Sequence, residues 1–236
     1  MRKFEKYRNL PVIAYDDGVG DHSREIMEQI ARYPNLQYII GEEEDIGISE
    51  GRNLALSRVT TKYFLLLDDD NIFLNSTDIE LLVNILDTTD ATLAGGNFAG
   101  YNDFAGFLSF GYGKKHSRTL HLGHGTCVSA NETIPLFPTC VRCELTSNDF
   151  LARTRDIVEV GGWSSELKTQ EHKDLFVRLK AAEKKVVYCP DFQVENRRGV
   201  GKEMNVKGYK GLRHGREQQM RNLFCNRWNI HNKWIV

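Results

Sequence analysis

No stretch of this sequence supplies the roughly 20 consecutive apolar residues of a membrane-spanning helix, so none reads as a transmembrane segment. The opening residues, Met1-Arg2-Lys3-Phe4-Glu5-Lys6-Tyr7-Arg8, also lack the apolar region of a secretory signal. Charge of one sign is missing too. A net charge of −1 gives the chain as a whole no drive toward nucleic acid or a lipid surface. Cysteine is sparse: five residues leave at least one thiol unpaired in a monomer. Cys140-Val141-Arg142-Cys143 has metal or redox spacing, but no second such pair accompanies it, so zinc is not expected there. Internal repeats and low-complexity segments are absent as well.

What is present suits one large domain. A chain of 236 residues with a 41% hydrophobic share can bury a sizeable core. Basic residues gather late, at Arg197-Arg198, Lys202, Lys207, Lys210, Arg213, Arg216 and Arg221, which reads either as an anion-binding tail or as a solvated face. Asn75-Ser76-Thr77 and Asn131-Glu132-Thr133 fit the N-glycosylation pattern, which has meaning only in a secretory lumen.

The most informative stretch is Tyr63-Phe64-Leu65-Leu66-Leu67-Asp68-Asp69-Asp70. Five apolar residues in a row predict a strand buried on both faces in the middle of a parallel sheet. Open α/β sheets bind ligands beyond the carboxyl ends of their strands, which is where the three acids fall. Crowded carboxylates repel one another unless water or a cation screens them, and hard divalent cations prefer oxygen ligands. A metal–diphosphate site is one reading; an acidic turn leading into a helix that starts near Asn75-Ser76-Thr77-Asp78 is the other.

Around this stretch, short strands alternate with helices. Strands are predicted at 10–15, 37–40, 91–96, 137–144 and 185–190, and helices from Asp21 or Ser23, over 47–57, over 78–86 and from Glu171 through Ala181. The alternation predicts an α/β fold with a mostly parallel, doubly wound sheet. Gly47 and Gly51 flank a helix start that could receive an anion, with Arg52 beside it, and Gly95-Gly96 end a strand where a ligand could approach the backbone. Residues 97–136 show no clean periodicity; their histidines His116, His121 and His124 read as exposed rather than as metal ligands.

In order, Tyr15-Asp16-Asp17-Gly18, Gly51-Arg52-Asn53, Asp68-Asp69-Asp70, Gly95-Gly96, Asn148–Thr154, Gly161-Gly162-Trp163 and Glu171-His172-Lys173-Asp174 resemble the motifs of GT-A glycosyltransferases. Within that superfamily Gly51-Arg52-Asn53-Leu54-Ala55, Val59–Tyr63 running into the acids, and Phe150-Leu151-Ala152-Arg153-Thr154 are similar to the β-1,4-N-acetylgalactosaminyltransferases, over about residues 10–196. The resemblance implies a single Rossmann-like GT-A domain, with residues 1–100 as the nucleotide-sugar half and 101–236 as the acceptor half. It implies inverting, metal-dependent transfer of a sugar, N-acetylgalactosamine first, from a UDP-sugar to a glycan hydroxyl. The alternatives are another UDP-hexose donor or an inactive nucleotide- or glycan-binding module.

By the same resemblance, Asp16 or Asp17 would meet the uracil–ribose part, and Arg52 the nucleotide or its diphosphate. Asp68 and Asp70 would hold Mn²⁺ or Mg²⁺, with Asp69 beside the donor and Gly95-Gly96 near its sugar. Glu171 would be the general base with His172 as rival, and Asp174 would position the acceptor. Many relatives carry a histidine after the last strand where this chain has Asn196, so His214 is the substitute metal-ligand candidate. Tyr15-Asp16-Asp17-Gly18 matches the family's second strand, which leaves its first without a counterpart before Met1. Kinship implies the Golgi lumen for an anchored enzyme, and otherwise a soluble cytoplasmic one.

Overall fold

The computed structural model describes residues 6–16, 24–41, 46–99, 105–112, 118–124, 133–197 and 206–230. The N-terminal part holds strand β1 (Val12–Asp16), helix α1 (Arg24–Ile30), strand β2 (Leu36–Ile40) and helix α2 (Ile48–Leu56). Strands β3 (Tyr63–Leu66) and β4 (Asn71–Phe73), helix α3 (Ile79–Thr88) and strand β5 (Ala91–Phe98) follow. A hairpin of β6 (Gly106–Tyr112) and β7 (Arg118–His124) occupies the stretch where sequence shows no periodicity. Then come β8 (Thr133–Ile134), β9 (Phe137–Cys143), β10 (Phe150–Arg153), α4 (Thr154–Glu159), α5 (Glu171–Ala181), β11 (Lys185–Asn196) and α6 (Val206–Arg227).

The main sheet runs β3-β10-β5-β11-β9-β8, with β4 paired to the far end of β11. The α/β expectation holds, but the pairing is mixed rather than mostly parallel. Among the described residues only β5 and β11 pair in parallel within this sheet; β10 is antiparallel to both β3 and β5. It follows that β3, β5 and β11 still point the same way, with β10 wedged between them. Arg153 anchors the wedge, donating from Nε to the Ala91 carbonyl at 2.8 Å and from Nη2 to the carbonyls of Thr89 and Leu86. The acid-bearing strand β3 is correspondingly half-buried at the end of the sheet, not central as its composition suggested. Strands β1 and β2 form a separate parallel pair.

Alternation along the strands divides the core between two faces. Phe150, Ala152, Val186, Tyr188 and Leu93 pack with Leu175, Phe176 and Leu179 of α5 and with Met220 and Phe224 of α6. Leu151, Val187, Cys189 and Ala94 pack on the other face under Ile79, Leu82, Ile85 and Leu86 of α3. Spacing of three and four puts those α3 residues on one stripe, each contributing ~1.5–3 kcal/mol by burial. Cys140 on β9 and Cys189 on β11 are joined by a disulfide, so the cysteine pairing crosses strands and Cys143 stays a buried thiol.

The glycines of β5 have a packing reason. A Cβ at Gly95 would collide with the Thr146 side chain, and one at Gly96 with the backbone and ring of Phe192. The space that sequence assigned to a ligand near the backbone is filled by the protein itself. Gly51 makes room in the same way for Tyr15, whose Cδ1 would lie 2.5 Å from an added Cβ. Gly96→Ala is therefore expected to cost about 1–3 kcal/mol, because backbone cannot retreat as a flexible side chain can. A shifted denaturant midpoint checks this; an unchanged midpoint would mean the glycine is not held by packing.

Candidate active site

Helix α2 follows Gly47, whose φ of +89° suits glycine, and within its first turns presents Arg52 and Asn53 to neighbouring loops. Arg52 Nη2 donates to Asp68 Oδ1 at 2.8 Å, and Nη1 to Glu171 Oε1 at 3.1 Å. One guanidinium thus joins the carboxyl end of β3 to the first residue of α5. Its flat face lies 5.7 Å from the centre of the Trp163 ring. Asn53 fixes that tryptophan through its backbone, accepting from Trp163 N at 2.8 Å and donating to Trp163 O at 2.7 Å. Gly51-Arg52-Asn53 and Gly161-Gly162-Trp163 are two halves of one contact, and an added Cβ at Gly162 would strike Asn53.

Arg52 and Glu171 are buried, while Asp68 keeps a third of its side chain exposed. Burial raises the Glu171 pKa above the usual glutamate value; the Arg52 charge opposes the rise and Asp68 adds to it. His172 Nε2 lies 2.7 Å from the Thr146 carbonyl, and its ring meets Phe176 edge-on at 4.9 Å. Burial and the nearby Arg52 charge push its pKa down to about 3, so the ring is neutral at physiological pH and Nε2 carries the proton toward Thr146.

At the acid cluster, burial and the charges of Asp68 and Asp69 raise the Asp70 pKa. Asn196 Nδ2 donates to Asp70 Oδ1 at 2.7 Å, and Arg197 N to the Asp70 carbonyl at 2.9 Å. The β4–β11 ladder, with Asn71 opposite Asn196, brings these residues together. Asn196, conspicuous in the sequence as a departure, grips the acid turn directly. Asp69 is exposed.

Other expected residues fall elsewhere. Asp16 ends β1 and accepts from the Tyr38 hydroxyl. Asp17 and the side chain of His214 lie outside the described residues. Asp174 is fully buried: Arg178 Nε reaches Oδ2 at 2.8 Å, while Trp228 Nε1 and Arg227 Nη1 reach Oδ1 at 2.9 and 3.4 Å. Its carboxylate ties α5 to the end of α6 and is not gathered with Arg52, because helical spacing turns position 174 into the core.

The sequence reading missed Asp149. Phe150 pairs with Leu66 and Gly95, so Asp149 sits one step further, level with Leu67 and Gly96 at the strand ends. It is fully buried, takes the Ser147 hydroxyl on Oδ1, and among the described residues its Oδ2 has no hydrogen-bond partner. Burial raises its pKa to about 7, with the Asp68 charge adding and the Ser147 bond opposing. An acid directly before Phe150-Leu151-Ala152 was the only signal available.

Could a divalent cation fit here? Among the described residues no three His, Cys, Asp or Glu side chains cluster as a ligand set. Asp68 and Asp70 do present carboxylates to one turn, and the crowding that raises the Asp70 pKa is what a cation would relieve. Two carboxylates with the remaining positions left to phosphate and water is a donor set that Mg²⁺ or Mn²⁺ accepts.

The glycosyl transferase family 2 model matches residues 2–131. The chain belongs to that family. It is 32% identical over 192 residues to β-1,4 N-acetylgalactosaminyltransferase 2 of Mus musculus, covering 73% of this chain and 36% of that protein. To β-1,4 N-acetylgalactosaminyltransferase 1 of Homo sapiens it is 32% identical over 185 residues, 66% of this chain and 33% of that one. The chain thus spans about a third of the length of these curated relatives. Its fold is that of GT-A structures: GalNAc-T7 with UDP, GalNAc and Mn²⁺ superposes with a TM-score of 0.58 at 14% identity, over 81% of this chain and 38% of that one. Staphylococcus aureus TarS gives 0.52 at 16%, over 79% and 30%.

Because Asp149 holds its proton more tightly folded than unfolded, the stability it contributes is complete below its ordinary value of 3.8. That contribution is lost as pH rises through about 7. Asp149→Asn is therefore expected to flatten the decline of melting temperature across that window and to melt higher than wild type above it. Thermal scans across pH check this; parallel profiles would contradict it.

Proposed function

We propose that this glycosyltransferase transfers N-acetylgalactosamine, with inversion, from its UDP-sugar to a hydroxyl of a glycan acceptor in a Mn²⁺- or Mg²⁺-dependent reaction. The observation that carries this reading is the Arg52 bridge, which sets a cation-ready acid turn and a buried carboxylate on opposite arms of one guanidinium. The names of the curated relatives support the sugar, and the UDP, GalNAc and Mn²⁺ of the GalNAc-T7 structure support the donor and metal. The same reading gives residues 1–100 the donor and 101–236 the acceptor, and places the reaction in the Golgi lumen.

Glu171 is the better base. Desolvation raises its proton affinity, whereas His172 has a pKa near 3 and directs Nε2–H to a carbonyl. In the reaction a Glu171 oxygen takes the acceptor hydroxyl proton as that oxygen bonds to the anomeric carbon. The bond from that carbon to the diphosphate breaks, and UDP leaves with its electron pair. Asp68 and Asp70 would hold the cation, which when bound supplies positive charge to the departing diphosphate. Asn196 keeps the Asp70 carboxylate turned to the site, and Arg52 keeps Asp68 and Glu171 at a fixed separation.

Glu171→Gln is expected to lower transfer about 10²–10⁴-fold while leaving UDP binding intact, the range for loss of a general base. His172→Ala should leave the larger part of the rate. Transfer assays with UDP-N-acetylgalactosamine and other UDP-hexoses read both variants and separate the donors. A glutamine variant that keeps full turnover would overturn the base, and a chain that binds donor but transfers no sugar would be the inactive module.

A further inference from the structure

The transfer reaction leaves two features unused: Asn75-Ser76-Thr77 and the paired cysteines. Asn75 is exposed in the turn between β4 and α3. Thr77 is buried: its Oγ1 accepts from Leu74 N at 2.8 Å and donates to the Gln193 carbonyl of β11 at 2.6 Å. The folded chain therefore displays the asparagine and seals away the hydroxyl that completes the acceptor pattern. Cys140 and Cys189 are fully buried, face one another across β9 and β11, and form a disulfide. Such bonds form and persist in oxidising compartments, where the same pattern becomes an acceptor on a surface turn.

We propose that Asn75 is an N-glycosylation site, modified in an oxidising secretory lumen before β11 docks beside Thr77. The order follows from chain position. Gln193 lies 116 residues beyond Thr77, so at ~5–20 residues per second the triplet is open for on the order of ten seconds during synthesis. In that interval Asn75 Nδ2 bonds to the anomeric carbon of a lipid-pyrophosphate-linked oligosaccharide. The carbon–oxygen bond to the pyrophosphate breaks, the lipid pyrophosphate leaves with the electron pair, and the amide gives up one proton. The Cys140 and Cys189 thiols then lose two protons and two electrons to a disulfide-bearing oxidant of the lumen, which is reduced to its dithiol.

The test is to produce the chain behind a cleavable secretory leader in a eukaryotic cell line and to analyse the whole-cell extract, so that chains that fail to fold are read as well. Peptide N-glycosidase in ¹⁸O-water marks occupied asparagines, and alkylation without reductant marks free thiols. The Asn75 peptide is expected to carry the label in most chains. Asn75→Gln should remove one glycan that Asn131→Gln leaves in place, and Cys140 and Cys189 should resist alkylation. Chain folded beforehand and offered to microsomes should stay unmodified at Asn75. Unlabelled Asn75, alkylated Cys140 and Cys189, or modification of the folded chain would overturn the proposal. No sugar-transfer activity enters these readouts, so they are independent of the transferase reading.

Discussion

Everything in the site depends on one guanidinium holding two carboxylates that would otherwise repel. Asp68 and Glu171 belong to parts of the chain more than a hundred residues apart, and Arg52 meets both within hydrogen-bonding distance. Lysine, a point charge, cannot span two acids with two parallel sets of donors as a planar fork does. The surroundings make the fork rigid: Trp163 beneath it, Asn53 clamping Trp163, and Gly162 where a side chain would strike Asn53. Removing one member of so buried a set would leave an uncompensated charge, typically a loss of about 3–5 kcal/mol.

Around that bridge the protein sorts its acids by environment. Asp174 spends its charge on Arg178, Arg227 and Trp228, and so holds α5 against α6 from behind. Asp149 is buried, with one oxygen unpaired among the described residues, and keeps its proton to near neutrality. Asp70 is crowded but gripped by Asn196, and Glu171 is desolvated yet offset by Arg52. Carboxyl groups of like chemistry thereby acquire different surroundings and different roles.

Much of this was legible in the residues. The start and end of α5 matched the pattern of Glu171–Ala181, and the apolar runs at Tyr63, Ala91 and Lys185 marked the strands that share a direction, because composition and period report burial well. Pairing partners were not legible. Nothing in Phe150-Leu151-Ala152-Arg153 says that it inserts antiparallel between two parallel-pointing strands, since that depends on the chain returning from far away. For the same reason Asn196 could be seen as a departure but not as the partner of Asp70, 126 residues earlier. Gly95 and Gly96 stood out correctly as special, but a glycine signals close approach without saying what approaches, and here it is Thr146 and Phe192.

On the proposed function, the Arg52 bridge organises a cation-dependent nucleotide site. Titration calorimetry of UDP, with and without Mn²⁺, into wild type and into a folded Arg52→Lys variant addresses it most directly. Metal-dependent UDP binding is expected in wild type, weakened about tenfold or more in the variant by loss of a charge-assisted contact. Metal-independent binding in both proteins, or no binding to well-folded wild type, would contradict it.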